Sequence, residues 1–122
     1  MSQAIDSGRE IESAACLWLQ QQGLSIMERN FRCKLGEIDI IAMDQQTLNE
    51  QTLVFVEVRQ RSHRHFGDGF SSVDHRKQQK LIRAARWFLQ ERKLFDRYPC
   101  RFDIVSARSA SDLEWIKDAF QT

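Results

Sequence analysis

The run LVFVEVR, residues 53–59, decides the fold. It is apolar on both faces until Glu57 and Arg59 arrive, as expected of a central strand covered on both sides. Immediately upstream, DQQTLNEQT (44–52) is polar and reads as a hairpin loop. Before it, residues 24–43 are strand-like and broken at Leu35-Gly36, where a tight turn fits. In the second of these strands Glu37, Asp39 and Ile41 share one face, with Ile38, Ile40 and Ala42 on the other. Residues 8–22 carry Ile11, Ala14, Ala15 and Trp18 at helical spacing, with Ser7 as cap and Gly23 as stop.

Downstream, residues 60–73 are irregular and rich in His, Gly and Ser. A long helix is predicted from about residue 74 to 94, burying Leu81, Ala85, Phe88 and Leu89, with Arg76, Lys80 and Arg83 on the opposite side. Tyr98-Pro99 breaks the chain, and RFDIVSA (101–107) reads as a further strand. Ser111 with Glu114 has a capping-box pattern that predicts a last helix containing Leu113, Trp115, Ile116 and Phe120. Trp18, Trp87 and Trp115 then fall on helices as core residues, Trp87 being the one candidate for stacking. The order helix, three strands, helix, strand, helix implies an α/β domain. Its central mixed β-sheet would be flanked by helices, as an early meander followed by a parallel crossover.

A length of 122 residues fits one domain and excludes a large multidomain enzyme. Hydrophobic residues at 42% and charged residues at 29% exclude a disordered chain. No apolar run approaches a membrane span and the N-terminus lacks a signal-type apolar core, so a soluble, cytoplasmic protein with no membrane partner is expected. Cys16, Cys33 and Cys100 lack metal spacing or a pairing pattern, and Cys16 and Cys100 read as buried free thiols. The net charge of +1 conceals a division. Residues 59–108 hold 13 Lys and Arg against 5 acids, a net of +8, and the remainder nets −7. All three histidines fall in the basic part. That division fits either a polyanionic partner or a solvated helix face.

Two carboxylates interrupt apolar strands: Asp39 in GEIDII and Glu57 in LVFVEVR. An ionised carboxylate in a desolvated strand is costly unless it is paired or binds a cation. If the polar loop is a hairpin, their strands are neighbours and the two acids can converge. Mg²⁺, a hard cation that takes oxygen ligands and keeps several waters, suits such a pair. Arg59 projects to the face of Glu57, where it would either meet phosphoryl oxygens or form a structural salt bridge.

These residues belong to a longer pattern: GREIESAACLWL (8–19), RNFRCKLGEIDII (29–41), FVEVRQR (55–61), Phe66-Gly67, Lys77 leading into LIRAARWFL (81–89), and RFDIV (101–105). In this ordered set the chain resembles the UPF0102 (YraN-like) family, which is related in pattern to archaeal Holliday junction resolvases and the PD-(D/E)xK nuclease superfamily. The resemblance implies one restriction-endonuclease-like domain over residues 1–122, in three layers. It implies Asp39 and Glu57 as metal-binding and catalytic carboxylates, the Val58 carbonyl as a further ligand, and Glu12 as the helix glutamate completing the shell. Glu37 would flank the site, and Lys77 would help hold the phosphate. The family most often has Lys at the position of Arg59. Arginine stays protonated and offers a planar fork, so it can offset charge but not act as a base.

The function expected is a Mg²⁺-dependent endonuclease hydrolysing DNA phosphodiester bonds, with Mn²⁺ as substitute and branched DNA as substrate. Arg59 and Lys77 would offset charge on the phosphate. Arg61, His63, Arg64, His65, Arg76, Lys77, Lys80 and Arg83 would grip the backbone without reading sequence. A homodimer is implied by the resemblance to resolvases. The rival reading is a non-catalytic nucleic-acid-binding or accessory module retaining the fold, and a third is an adaptor for an acidic protein.

Overall fold

Ser7 starts the first helix by accepting a hydrogen bond from the Glu10 amide at 3.1 Å, so α1 runs Gly8–Gln21. Gly23, at φ +103°, ends it and turns the chain into the sheet. The computed structural model describes residues 7–61 and 73–122. Strands β1 (Leu24–Cys33), β2 (Gly36–Gln45) and β3 (Gln51–Gln60) follow, then α2 (His75–Glu91), β4 (Cys100–Ser109) and β5 (Asp112–Phe120). The sheet order is β1-β2-β3-β4-β5. Only β3 and β4 are parallel, and α2 lies between them in the chain. The meander and the crossover are therefore as the sequence predicts.

β3 is the central strand, and its alternation sorts the core into two layers. Leu53 and Phe55 pack with Leu81, Ala85 and Phe88 of α2. Val54 and Val56 pack with Ala15, Cys16 and Leu19 of α1. Each face of the sheet thus carries one helix. Phe55, fully buried between Phe88 (6.1 Å, edge-on) and Phe102 (5.4 Å, stacked), ties the α2 layer to β4. Burying such side chains contributes about 1.5–3 kcal/mol each.

The predicted last helix is a strand. Ser111 does not cap a helix. Its amide donates to the Ser109 hydroxyl at 3.3 Å, and Ala110-Ser111 makes a tight turn into β5. Leu113 and Trp115 pack on the α1 side, whereas Ile116, Ala119 and Phe120 pack on the α2 side. A strand that buries both faces places apolar residues as densely as a helix stripe does, and a bulge deepens the resemblance. Between Phe102↔Phe120 and Ile104↔Ile116 the register slips by two residues, with Asp118 at φ +52°. Fully buried Asp103 holds that bulge. It accepts hydrogen bonds from Arg101 Nε (3.0 Å), Trp115 Nε1 (2.9 Å) and the Asp118 amide (2.9 Å). Trp115 consequently lies on a strand, edge-on to Trp18 at 6.3 Å. Trp87 is on α2 but outside the core, 39% exposed beside Gln90 and Glu91. Cys16 is buried as predicted, but Cys100, at the start of β4, is exposed. Among the described residues no helix is long and apolar enough to cross a membrane.

Strict alternation also fails in β2. Ile38 packs on the α2 side with Ile41, while Ile40 and Ala42 pack on the α1 side. The residue at which alternation breaks is Asp39.

Candidate active site

β2 pairs with β3 from Gln45↔Gln51 to Ile40↔Val56 and no further. At the next position the Asp39 carboxylate replaces a backbone acceptor, its Oδ2 taking the Val58 amide at 2.8 Å. Opening the ladder there lets Ile38 change sides and leaves the Asp39 carboxyl between the strands. Within a strand a residue's N–H and C=O project to the same side, so the Val58 carbonyl points toward Asp39 as well.

Glu57 lies one residue before Val58 and is buried, on the α2 face with Leu53 and Phe55. Its charge is met by α2. The Asp74 carboxylate caps that helix by accepting from the Lys77 amide at 2.8 Å, and Lys77 Nζ reaches Glu57 Oε2 at 3.1 Å. Gly36 helps to set the position of α2, because a Cβ at this site would lie 3.1 Å from the Lys80 carbonyl oxygen. Glu12 of α1 supplies a third carboxylate. It pairs with Arg29 at 3.2 Å, and the same guanidinium donates to Ser13 at 3.1 Å.

These acids act on one another. The Asp39 carboxyl is pushed up to about 7, first by burial and then by the charge of Glu57. A hydrogen bond with the Glu57 side chain and the charge of Glu12 add to this, while the Val58 amide pulls the other way. Three carboxylates face two cations, and a proton on Asp39 supplies the missing positive charge near neutral pH. A divalent cation would satisfy the same demand.

The donors fit such an ion: two carboxylates and a backbone carbonyl are the hard oxygens that Mg²⁺ and Mn²⁺ take. Among the described residues no three His, Cys, Asp or Glu side chains stand close enough to form a complete cage. The remaining positions would fall to water and to substrate oxygens, as is usual for Mg²⁺ at phosphate-handling sites.

The other predicted residues have different surroundings. Arg59 shares the face of Glu57 two residues on, and among the described residues its side chain has no ion pair. Arg61 is tied to Glu114 of β5 at 3.4 Å. Arg76, Lys80 and Arg83 are exposed along one side of α2, as predicted. His63, Arg64 and His65, with Phe66-Gly67, lie outside the described residues. Glu37, expected to flank the site, is engaged elsewhere. It is exposed and pairs with Arg32 at 3.5 Å. Sequence reasoning overlooks Arg29, which restrains Glu12, and Ser106, a fully buried hydroxyl on β4. Arg29 carries no signal beyond its charge. Ser106 is detectable only as a polar residue directly after the apolar pair Ile104-Val105.

Residues 11–107 match the family described as "Uncharacterised protein family UPF0102". That span includes Glu12, Asp39, Glu57, Val58, Arg59 and Lys77. The chain is similar to a UPF0102 protein of Stutzerimonas stutzeri, 45% identical over 125 residues covering all of both chains. It is similar also to one of Pseudomonas syringae pv. syringae, 44% identical over 95% of this chain and 94% of the other. A third, from Alcanivorax borkumensis, is 45% identical over 94% of this chain and 91% of its own.

Proposed function

This chain belongs to the UPF0102 family, and from that premise we propose that it is a metal-dependent endonuclease of restriction-endonuclease-like fold, cutting DNA and favouring branched substrates. One observation carries the reading: Asp39, which takes the Val58 amide at 2.8 Å where two strands part, is pushed up to about 7 by burial and by the charge of Glu57 beside it. Buried acids kept short of counter-charge are poised to take a cation.

Asp39, Glu57 and the Val58 carbonyl would hold Mg²⁺ or Mn²⁺, with Glu12 supporting from α1. The bound ion supplies a more acidic water and a polarised phosphate. Lys77 brings the ammonium that Arg59 does not: a compact cation 3.1 Å from Glu57, delivered from the helix rather than from the strand. Arg59 adds fixed positive charge further along the same face. Arg76, Lys80 and Arg83 extend the basic surface along α2, giving binding through the phosphate backbone that weakens with salt. The reading includes action in the cytoplasm and a homodimer that presents two sites to a branched substrate.

The second reading, a nucleic-acid-binding module without catalysis, is favoured by Arg59 itself, which cannot take a proton from water. Purified protein incubated with branched, single-stranded and duplex DNA, and with RNA, separates the two. Cleavage that requires Mg²⁺ or Mn²⁺ and disappears in Asp39→Ala is the expected result. Binding of nucleic acid without cleavage in either metal would leave the binding module, and binding of none at low salt would remove both.

A further inference from the structure

Beyond Glu57, on the α2 side of the sheet, lies a row of polar residues that the carboxylate pair does not use. Arg59 of β3 is in register with Ser106 of β4, and Ser106 with Glu114 of β5. Partners in register point to the same face, and Phe102 and Ile104 show that for β4 this is the α2 face. Arg61 joins the row through its ion pair with Glu114 at 3.4 Å. Among the described residues, two atoms here are buried without a hydrogen-bond partner: the Ser106 hydroxyl oxygen and Arg61 Nε. Ser106 as a whole is fully buried.

An orphaned buried polar group costs about 1–3 kcal/mol, and natural structures retain such groups where a ligand, an ion or a water completes them. Both orphans can donate: a hydroxyl rotates its proton freely, and a guanidinium Nε–H donates only. Arg59 contributes a positive charge with no ion pair among the described residues. Glu114 offsets the charge of Arg61, so the row retains one net positive charge. Donors and a net cation together select an anion.

We propose that Arg59, Arg61 and Ser106 form an anion pocket that takes a phosphate oxyanion, separate from the Asp39–Glu57 pair. Two residues along a strand span about 6.6 Å, so Arg59 stands away from Glu57 by a distance comparable to that between successive phosphates of a nucleic-acid strand. The pocket holds the phosphate flanking the one presented to the carboxylates, and thereby sets the register of the backbone across the site. This deepens the nuclease reading at its own site. The anion pocket itself requires no metal and no cleavage, so the two fail separately.

The test is thermal unfolding in EDTA with inorganic phosphate as the probe, and in parallel with a short single-stranded DNA. Each is measured on the full chain and on Ser106→Ala and Arg59→Gln. The readout is the ligand-induced rise in Tm, since removing an orphaned hydroxyl can itself alter the starting value. Phosphate should raise the Tm of the parent protein. Ser106→Ala should weaken its apparent affinity about tenfold or more, and Arg59→Gln should abolish the response. DNA should show the same pattern if its backbone is the source of the phosphate, whereas a response to phosphate alone assigns the pocket to the free ion. The Mg²⁺-induced rise should persist in both variants, showing that the carboxylate pair is intact. A phosphate response unaffected by Ser106→Ala, no response in the parent protein, or a phosphate-soaked crystal with only water on the Ser106 hydroxyl would overturn the proposal.

Discussion

Replacing Asp39 by Asn should stabilise the metal-free protein at alkaline pH while removing its response to metal. Asparagine keeps an acceptor for the Val58 amide, which donates to Asp39 Oδ2 at 2.8 Å, and its amide group can donate to Glu57. What it removes is a charge held against its environment. The Asp39 carboxyl is raised to about 7 from an ordinary 3.8. A raised carboxyl makes its full contribution to stability below about pH 4 and loses it as pH rises to about 7, because over that interval the folded state must hold a proton that the unfolded chain has already released. Raising this carboxyl from 3.8 to about 7 corresponds to about 4 kcal/mol at most, and a gain of about 2–4 kcal/mol is expected. For a chain of this size that is a Tm difference of roughly 6–15 °C at pH 8, shrinking as pH falls and vanishing only below about pH 4. Comparing variant with parent cancels the titration of every other group. Mg²⁺ at a hundredfold excess over its dissociation constant should return about 2.7 kcal/mol to the parent alone, narrowing the gap. Thermal unfolding between pH 5 and 8.5, with EDTA or with Mg²⁺, measures all of this. A gap that does not widen with pH, or a Mg²⁺ response of equal size in both proteins, would refute the reasoning.

Other perturbations probe neighbouring parts of the argument. Lys77→Met leaves Glu57 buried without its 3.1 Å partner. The expected loss is about 1–2 kcal/mol, since Lys77 is half exposed, and denaturant unfolding would reveal it together with any lost cleavage. Gly36→Ala drives a Cβ to 3.1 Å from the Lys80 carbonyl, which can yield only by moving α2. A cost of about 1–3 kcal/mol in urea unfolding is expected, and an unchanged midpoint would show that α2 is not held at that contact. Asp103→Ala strips the acceptor from Arg101, Trp115 and the Asp118 amide at once. About 3 kcal/mol or more should be lost, with a change in tryptophan fluorescence as β5 loosens. Neutralising Arg76, Lys80 and Arg83 together should lower the slope of log affinity for DNA against log salt by about 2–3. An unchanged slope would remove α2 from the DNA surface.

What the sequence disclosed and what it hid follow from the range of the forces involved. Helix α1, its Ser7 cap, the turn before Gly36 and the doubly covered strand β3 are written in residues a few positions apart, where sterics and periodicity decide the outcome. The parallel step from β3 to β4 was legible because a long helix between two strands permits little else. β5 was not, since the Ser111–Glu114 spacing that opens a helix also occurs where two serines close a hairpin. What decides between them is Asp103, nine residues before Asp112, whose buried charge recruits Trp115 and the Asp118 amide and holds the strand in place. The same distinction runs through the candidate site. Asp39 and Glu57 stood out as charges in apolar strands, and sequence could place them on neighbouring strands. It could not show that Asp39 would take the Val58 amide in place of a backbone carbonyl. That hydrogen bond breaks the alternation of β2, turning Ile38 to the α2 side. One carboxylate thus opens the ladder and occupies the gap, so the feature that upset the facial reading of residues 37–42 is also the one that builds the candidate site.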